Sequence, residues 1–250
     1  MKELLSRLDV ADFRFLAGII ESPVNFTDDA RLRSLCDSYE AGAKPETRAE
    51  IEALLEKEIR YLGSAEAFYV LRSLTGQEAG VPFSEIVRDV AGQLKVPYTG
   101  LGTESEQVAR IAEEFATRQF AGLKPEEQQR LLEELGVERE KAAAFLKRSA
   151  GVFALPLLVE TFNAVIVQGL IKTVIFGTIA RILGKQLAGR LFAFLAARLP
   201  WWVTWVGPGI WALSIGWTAL DLQGPATRKT VPIVLYLGLC VLRERAAAAA

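Results

Sequence analysis

Histidine is absent from the 250 residues of this chain, and cysteine occurs only twice. Without histidine there is no Ser-His-Asp or Cys-His catalysis, no imidazole ligand for zinc and no imidazole pH switch. Cys36 and Cys240 lie too far apart in sequence for a CxxC motif, and two cysteines form no disulfide framework. We therefore expect a protein that is synthesised in the reducing cytoplasm and that holds no metal or cofactor.

Enzyme motifs are also missing. The sequence has no GxxxxGK[ST], no SxxK and no GxSxG, and Gly100-Leu101-Gly102 lacks both the third glycine and the preceding strand of a dinucleotide loop. Glu113 and Glu114 are neighbours in a predicted helix, where adjacent side chains point about 100° apart, so they do not form a metal-ligand pair. We expect no catalytic residues, and hence no enzyme.

Charge divides the chain into two unlike parts. Residues 1–148 carry 27 acidic and 20 basic side chains, whereas residues 149–250 carry only 3 acidic and 9 basic ones. An acidic front part disfavours a nucleic-acid-binding face, so we expect no nucleic-acid partner. The sequence predicts an acidic soluble domain, 1–148, followed by an apolar and cationic region, 149–245, and an unstructured tail, 246–250.

The front part repeats one helical pattern: a capping residue, apolar residues at a 3.6-residue period, and then Gly or Pro. Thr103 with Glu106 has the spacing of a capping box. The predicted helix starts are Thr27, Pro45, Ser64, Ser84, Thr103 and Pro125. Strand patterns of period two are nearly absent. The fold class is therefore predicted to be all-α: a soluble bundle of seven or eight short helices, with residues 11–20 packed on it, ahead of a hairpin-like apolar region.

The first apolar run of the back part is long enough to cross a bilayer. Residues 149–171 contain one charged side chain, Glu160. On a helical wheel, a continuous helix over 157–185 would place its polar side chains in one half. This predicted polar stripe comprises Glu160, Asn163, Gln168 and Lys172. Such a helix lies on a membrane surface or lines a pore, or else it packs its apolar side on the front bundle with its polar side in water.

All five tryptophans of the chain follow within seventeen residues. Pro200 and the Gly207-Pro208-Gly209 break favour two short helices joined by a turn. Amphipathic indole rings near cationic side chains are typical of a membrane interface, although tryptophans also fill protein cores. The predicted interfacial anchors are Trp201, Trp202, Trp205, Trp211 and Trp217, and the predicted headgroup contacts are Arg181, Lys185, Arg190 and Arg198.

The last apolar run, Thr230 to Leu242, is too short to span a bilayer alone. Cationic side chains flank nearly every apolar run, so the one-sided charge bias of a threaded polytopic protein is absent. This pattern favours insertion in the membrane plane or as a hairpin, or a buried apolar hairpin that is released on demand.

Several segments together resemble the YaaW-like family of bacterial proteins. They are YLGSAEAFYVLRSLTGQEAGVPFSEIVRDVAGQLKV, EQVARIAEEF, KPEEQQRLLEELG and GPATRKTVPIVLYLGLCVLRER. LDVADFRFLAGI resembles the leader module that often precedes that domain, here assigned to residues 9–42. The resemblance implies remote similarity to ubiquinol-cytochrome c chaperones, hence an assembly role, and it implies no catalytic residues. The tryptophans at 201–217 replace the usual glycine-rich centre of the family.

These observations predict a non-enzymatic helical protein that associates with or inserts into an anionic membrane through residues 150–242, with pore formation as an effector-like outcome. It would be localised at the cytoplasmic membrane. Glycines at 169, 177 and 184 would allow close helix packing in a homo-oligomer. The alternative is an assembly chaperone that binds a hydrophobic segment of a partner protein.

Overall fold

The computed structural model describes residues 1–21, 26–42, 45–63, 80–149, 151, 153–184, 189–190, 193 and 227–249. This part of the chain forms eleven α-helices and no strand, which confirms the all-α prediction. The helices are α1 Lys2–Ser6, α2 Val10–Ile20, α3 Phe26–Glu40, α4 Pro45–Leu62, α5 Phe83–Gln93, α6 Glu104–Ala121, α7 Pro125–Glu134, α8 Arg139–Ser149, α9 Leu155–Phe162, α10 Ala164–Leu183 and α11 Thr227–Ala249.

Three of the predicted helix starts are confirmed. Helices α4 and α7 begin at Pro45 and Pro125, where the fixed φ of proline suits the first turn. At α6 the Glu106 carboxylate accepts the Thr103 amide at 2.7 Å, and the Glu106 amide donates to the Thr103 hydroxyl at 3.2 Å. This is the predicted capping box, which satisfies two amides that lack intrahelical partners.

Other helix starts differ from the prediction. Helix α5 begins at Phe83, one residue before the predicted cap Ser84, because Pro82 takes the N-cap position with extended backbone. Helix α3 begins at Phe26, so Thr27 lies inside it. The helix predicted after Ser64 falls outside the described residues.

Helix α11 is the central helix of the bundle. It packs most extensively on α6 and also contacts α2, α4, α5 and α10. Its residues from Thr230 to Val241 are all buried. The helices approach closely at Gly238, where a Cβ atom would lie 2.5 Å from the carbonyl oxygen of Val108. The apolar run 230–242 therefore contacts protein, and one hydrophobic core includes residues from both sides of the predicted boundary at 148.

Helices α2 and α11 run antiparallel. At one end the Lys229 ammonium donates to the carbonyl oxygens of Ile20 and Glu21, at 2.8 and 3.1 Å. Between the ends the Phe15 and Tyr236 rings pack with centroids 4.1 Å apart. The predicted packing of residues 11–20 on the bundle is therefore observed, and its partner is the last helix of the chain.

The continuous helix predicted over 157–185 is wrong. Asn163 adopts a φ of 76°, which ends α9, and its side-chain oxygen accepts the amides of Val165 and Ile166 at 3.0 and 3.1 Å. Asparagine tolerates this left-handed φ better than most residues and is also a good N-cap, so one residue both ends a helix and starts the next. The helical wheel therefore does not extend across Asn163.

The predicted unstructured tail is also not observed. Helix α11 continues through Ala249. Alanine has the highest helix propensity of the residues, so a run of alanines prolongs a helix that the core has already nucleated.

Candidate functional site: a cleft beside the last helix

A cleft of about 220 Å³ opens between α9, α10 and α11, with α6 at one side. Most of its lining is apolar. The apolar lining residues are Leu155, Val159, Ala164, Val167, Ile171, Leu239, Leu242 and Ala246. The break at Asn163 places Val159 of α9 and Ala164 of α10 in the same lining. The lining thus includes residues from both sides of the break.

Polar and charged side chains line the rest of the cleft. Gln168 and Lys172 lie one turn apart on α10, Arg243 and Arg245 come from α11, and Glu113 comes from α6. Three cations therefore share the lining with one carboxylate.

Lys172 and Glu113, two ionisable groups of the lining, have shifted pKa values. Burial lowers the pKa of Lys172, and the positive charge of Arg243 lowers it further. Burial raises the pKa of Glu113, although Arg245 and Arg110 oppose that rise. Each shift disfavours the charged form, so the cleft is a costly environment for both charges.

A buried polar cluster lies behind the cleft, at the end of α11. Its centre is Asp12, which is 0% exposed. The Asp12 carboxylate accepts the Tyr236 hydroxyl at 2.7 Å and two guanidinium N–H groups of Arg243 at 3.1 and 2.8 Å. It also accepts the Asp9 amide at 3.0 Å, completing a capping box at the start of α2. The cluster thus joins the first helices of the chain to the last one.

The phenol and the thiol of this cluster, Tyr236 and Cys240, are held in their neutral forms. Burial and then the Asp12 charge raise the pKa of the Tyr236 phenol and of the Cys240 thiol well above their ordinary values. The second cysteine is also buried, and burial raises the pKa of Cys36 to about 11. Since the thiolate is the reactive form, neither cysteine has the environment of a nucleophile.

The predicted polar stripe is divided between three environments. Glu160 lies exposed on α9, Asn163 caps α10, and Gln168 and Lys172 line the cleft, half-buried. The structure therefore brings Gln168 and Lys172 together, and it assigns Asn163 a structural role.

Of the predicted headgroup contacts, Arg181 lies exposed in the last turn of α10, and Arg190 is also exposed. The other predicted membrane-interface residues fall outside the described residues. They are Lys185, Arg198, Trp201, Trp202, Trp205, Trp211 and Trp217.

Large exposed hydrophobic side chains are few in the described ranges, and two of the three flank the α9–α10 break. Val159 is 39% exposed and Val165 is 49% exposed, whereas the third, Leu101, is 69% exposed and lies in the front part. Val159 therefore adds an exposed apolar side chain to the cleft lining, and Val165 exposes another just after the break.

Sequence reasoning missed the Asp12 cluster. Its signal was available, because Asp12 is an acidic residue in the mostly apolar segment ADFRFLAGII, and Tyr236 is the one side chain with a hydroxyl in VPIVLYLGLCVL. A buried charge needs a partner, and the nearest cation after the second run is Arg243. The pairing itself spans 231 positions in sequence, which no local pattern reveals.

Within the described ranges, α10 alone has the length and apolar composition to cross a membrane, and 56% of its most apolar 18-residue window is buried in the bundle. Helices in the cores of soluble proteins have the same composition. The described residues hold no group of three or more Cys, Asp or Glu side chains placed to bind a metal ion.

The chain is similar to a distant relative among known proteins. The chain is 24% identical over 251 residues to a "UPF0174 protein" of Helicobacter pylori strain J99, in an alignment that covers 98% of this chain and 92% of that protein. No family model and no solved structure matches the chain. The similarity extends over nearly the whole chain, and it supports a relationship to an uncharacterised bacterial family.

Proposed function

We propose that this protein associates with the surface of anionic membranes through the region from α9 to residue 226, while the helical bundle remains in water. The observation that carries the proposal is the exposed pair Val159 and Val165, which lies in the half of the chain with a cationic excess. The sequence continues from there into the tryptophan-rich segment 201–217.

The burial of α11 narrows the region that would contact lipid. Residues 230–241 lie in the core, and Lys229 and Arg243 bind groups of α2. The remaining cations of the back part include Arg181 and Arg190, both exposed. Each cation near an anionic surface adds about 1 kcal/mol of attraction, so binding should depend on lipid charge and on salt.

Flotation of the full-length protein with vesicles tests this proposal. We expect the protein to float with vesicles that contain phosphatidylglycerol, to float less at high salt, and to stay in the soluble fraction with phosphatidylcholine alone. Recovery of all the protein in the soluble fraction with both vesicles would contradict the proposal.

Paired variants locate the contact. Because carboxylates resist transfer into the membrane interface, Val159→Glu and Val165→Glu, made as separate variants, should each reduce flotation. Leu101→Glu is the matched control, since it places the same charge at an exposed hydrophobic position in the front part. If Leu101→Glu reduces flotation as much as the valine variants do, the effect comes from net charge, and α9 and α10 do not contact the membrane.

A YaaW-like assembly chaperone is our second candidate, and the apolar cleft favours it because such a lining would accept a hydrophobic side chain of a client. This function predicts co-purification of a partner without detergent and loss of that partner with Val159→Glu. Co-purification that survives this substitution would argue against the cleft as the client site.

A further inference from the structure

The cleft combines an apolar lining with three cations and one carboxylate. Its floor is built from Val167, Ile171 and Leu239, which are all buried, and its polar lining comes from Lys172, Arg243, Arg245, Gln168 and Glu113. An apolar cavity with a few convergent polar groups is the usual form of a small-molecule site. The chemistry of this lining suits a molecule with an apolar part and a polar head.

The charges select the sign of that head. Arg243 already binds Asp12, and Glu113 experiences the charge of Arg245. Besides Arg243, the lining holds two cations, Lys172 and Arg245, and one carboxylate, Glu113. An anion in the cleft would balance the cationic excess of this lining, because opposite charges attract more strongly where water is partly excluded. A cationic head would add a fourth positive charge to the three in the lining.

The size selects a short chain. An engineered apolar cavity of about 150 Å³ holds a benzene molecule, whereas drug-sized ligands occupy about 300–1,000 Å³. At about 220 Å³ the cleft lies between these values. It has room for one short acyl chain, and it is too small for the two chains of a phospholipid.

We propose that the cleft between α9, α10 and α11 binds a single-chain fatty carboxylate, with the carboxylate at Lys172 and Arg245 and the acyl chain along Val167, Ile171 and Leu239. Binding of such a molecule from solution does not require a membrane, so a failure of this proposal would not contradict the proposed membrane association, and the reverse also holds.

Calorimetric titration of the full-length protein with sodium octanoate below its micelle concentration tests the site. We expect saturable binding of one octanoate per chain and at least tenfold weaker binding of octan-1-ol, which has the same chain and no charge. Lys172→Met should weaken octanoate binding at least tenfold, and Lys172→Arg should restore most of it. Ala164→Phe, at an exposed position in the lining, should block the cleft.

The matched control is Arg181→Met, which removes an exposed cation of the same helix outside the cleft and should leave octanoate binding unchanged. The proposal is overturned if octanoate gives no saturable heat, if octan-1-ol binds equally well, or if Arg181→Met weakens binding as much as Lys172→Met. Far-UV circular dichroism of each variant reports folding. If Lys172→Met does not fold, Ala164→Phe provides the test instead. Unchanged octanoate binding by folded Ala164→Phe would by itself overturn the proposal.

Discussion

Substitution of Asp12 by Asn should destabilise the whole bundle, because Asp12 joins α2 to α11. One carboxylate oxygen accepts Tyr236 and one N–H of Arg243, and the other accepts a second N–H of Arg243 and the Asp9 amide. Asparagine offers one acceptor and one NH₂ group. Whichever way the amide is turned, its NH₂ faces two donors, so at least one buried donor loses its partner.

The structure sets the size of the effect. Breaking a buried ion pair by removing one partner costs about 3–5 kcal/mol, which for a chain of this size lowers Tm by roughly 6–20 °C. The side chain of Arg243 is 18% exposed and has Asp9 at 3.8 Å as a second carboxylate, so the lower end of that range is expected. The Tyr236 hydroxyl has no exposed route to water, because the residue is 0% exposed.

Urea denaturation followed by far-UV circular dichroism measures the change in the free energy of unfolding. Asp37→Asn is the matched control, since Asp37 pairs with Arg14 but its side chain is 65% exposed, and it should cost less than about 1 kcal/mol. Tyr236→Phe in the wild-type and Asp12→Asn backgrounds completes a double-mutant cycle. A cost below about 1 kcal/mol for Asp12→Asn, or a coupling of zero with Tyr236→Phe, would refute the role of this cluster.

Four further substitutions test other parts of the structure. Gly238→Ala should cost about 1–3 kcal/mol by overpacking, because its Cβ would lie 2.5 Å from the Val108 carbonyl oxygen. By contrast, Gly92→Ala in α5, with nothing within 4 Å, should stabilise by about 0.5–1 kcal/mol, and urea midpoints compare the two. Thr103→Ala should cost about 1 kcal/mol by removing the capping box of α6, and an unchanged midpoint would show that water replaces the cap. Lys172→Met should raise stability at pH 7, because the lowered pKa of Lys172 means that the unfolded chain binds its proton more tightly than the folded one. As the pH rises from the lowered pKa to the ordinary value of 10.5, the stability of the wild type should therefore increase relative to that of the variant. Urea midpoints of both proteins from pH 7 to about 10.5 measure this difference, and a decrease in the wild type relative to the variant would contradict the prediction.

Local features of the front part were predictable because they depend on neighbours in sequence. The Thr103–Glu106 box, the helix starts at Pro45 and Pro125, and the absence of strands all follow from capping chemistry and from the 3.6-residue period. The break at Asn163 was missed because a wheel weighs polarity alone. The backbone conformation and capping ability of asparagine decided that position.

The sequence by itself determined the helical class, the missing imidazole chemistry and the unequal distribution of charge between the two halves. Only the tertiary structure decided where the last apolar run goes, because a short uncharged helix has the same composition in lipid and in a protein core. The partners of its flanking cations resolve the difference: Lys229 binds the carbonyls at the end of α2 and Arg243 binds buried Asp12, more than two hundred residues away. These long-range contacts place α11 in the core, where it also lines the cleft.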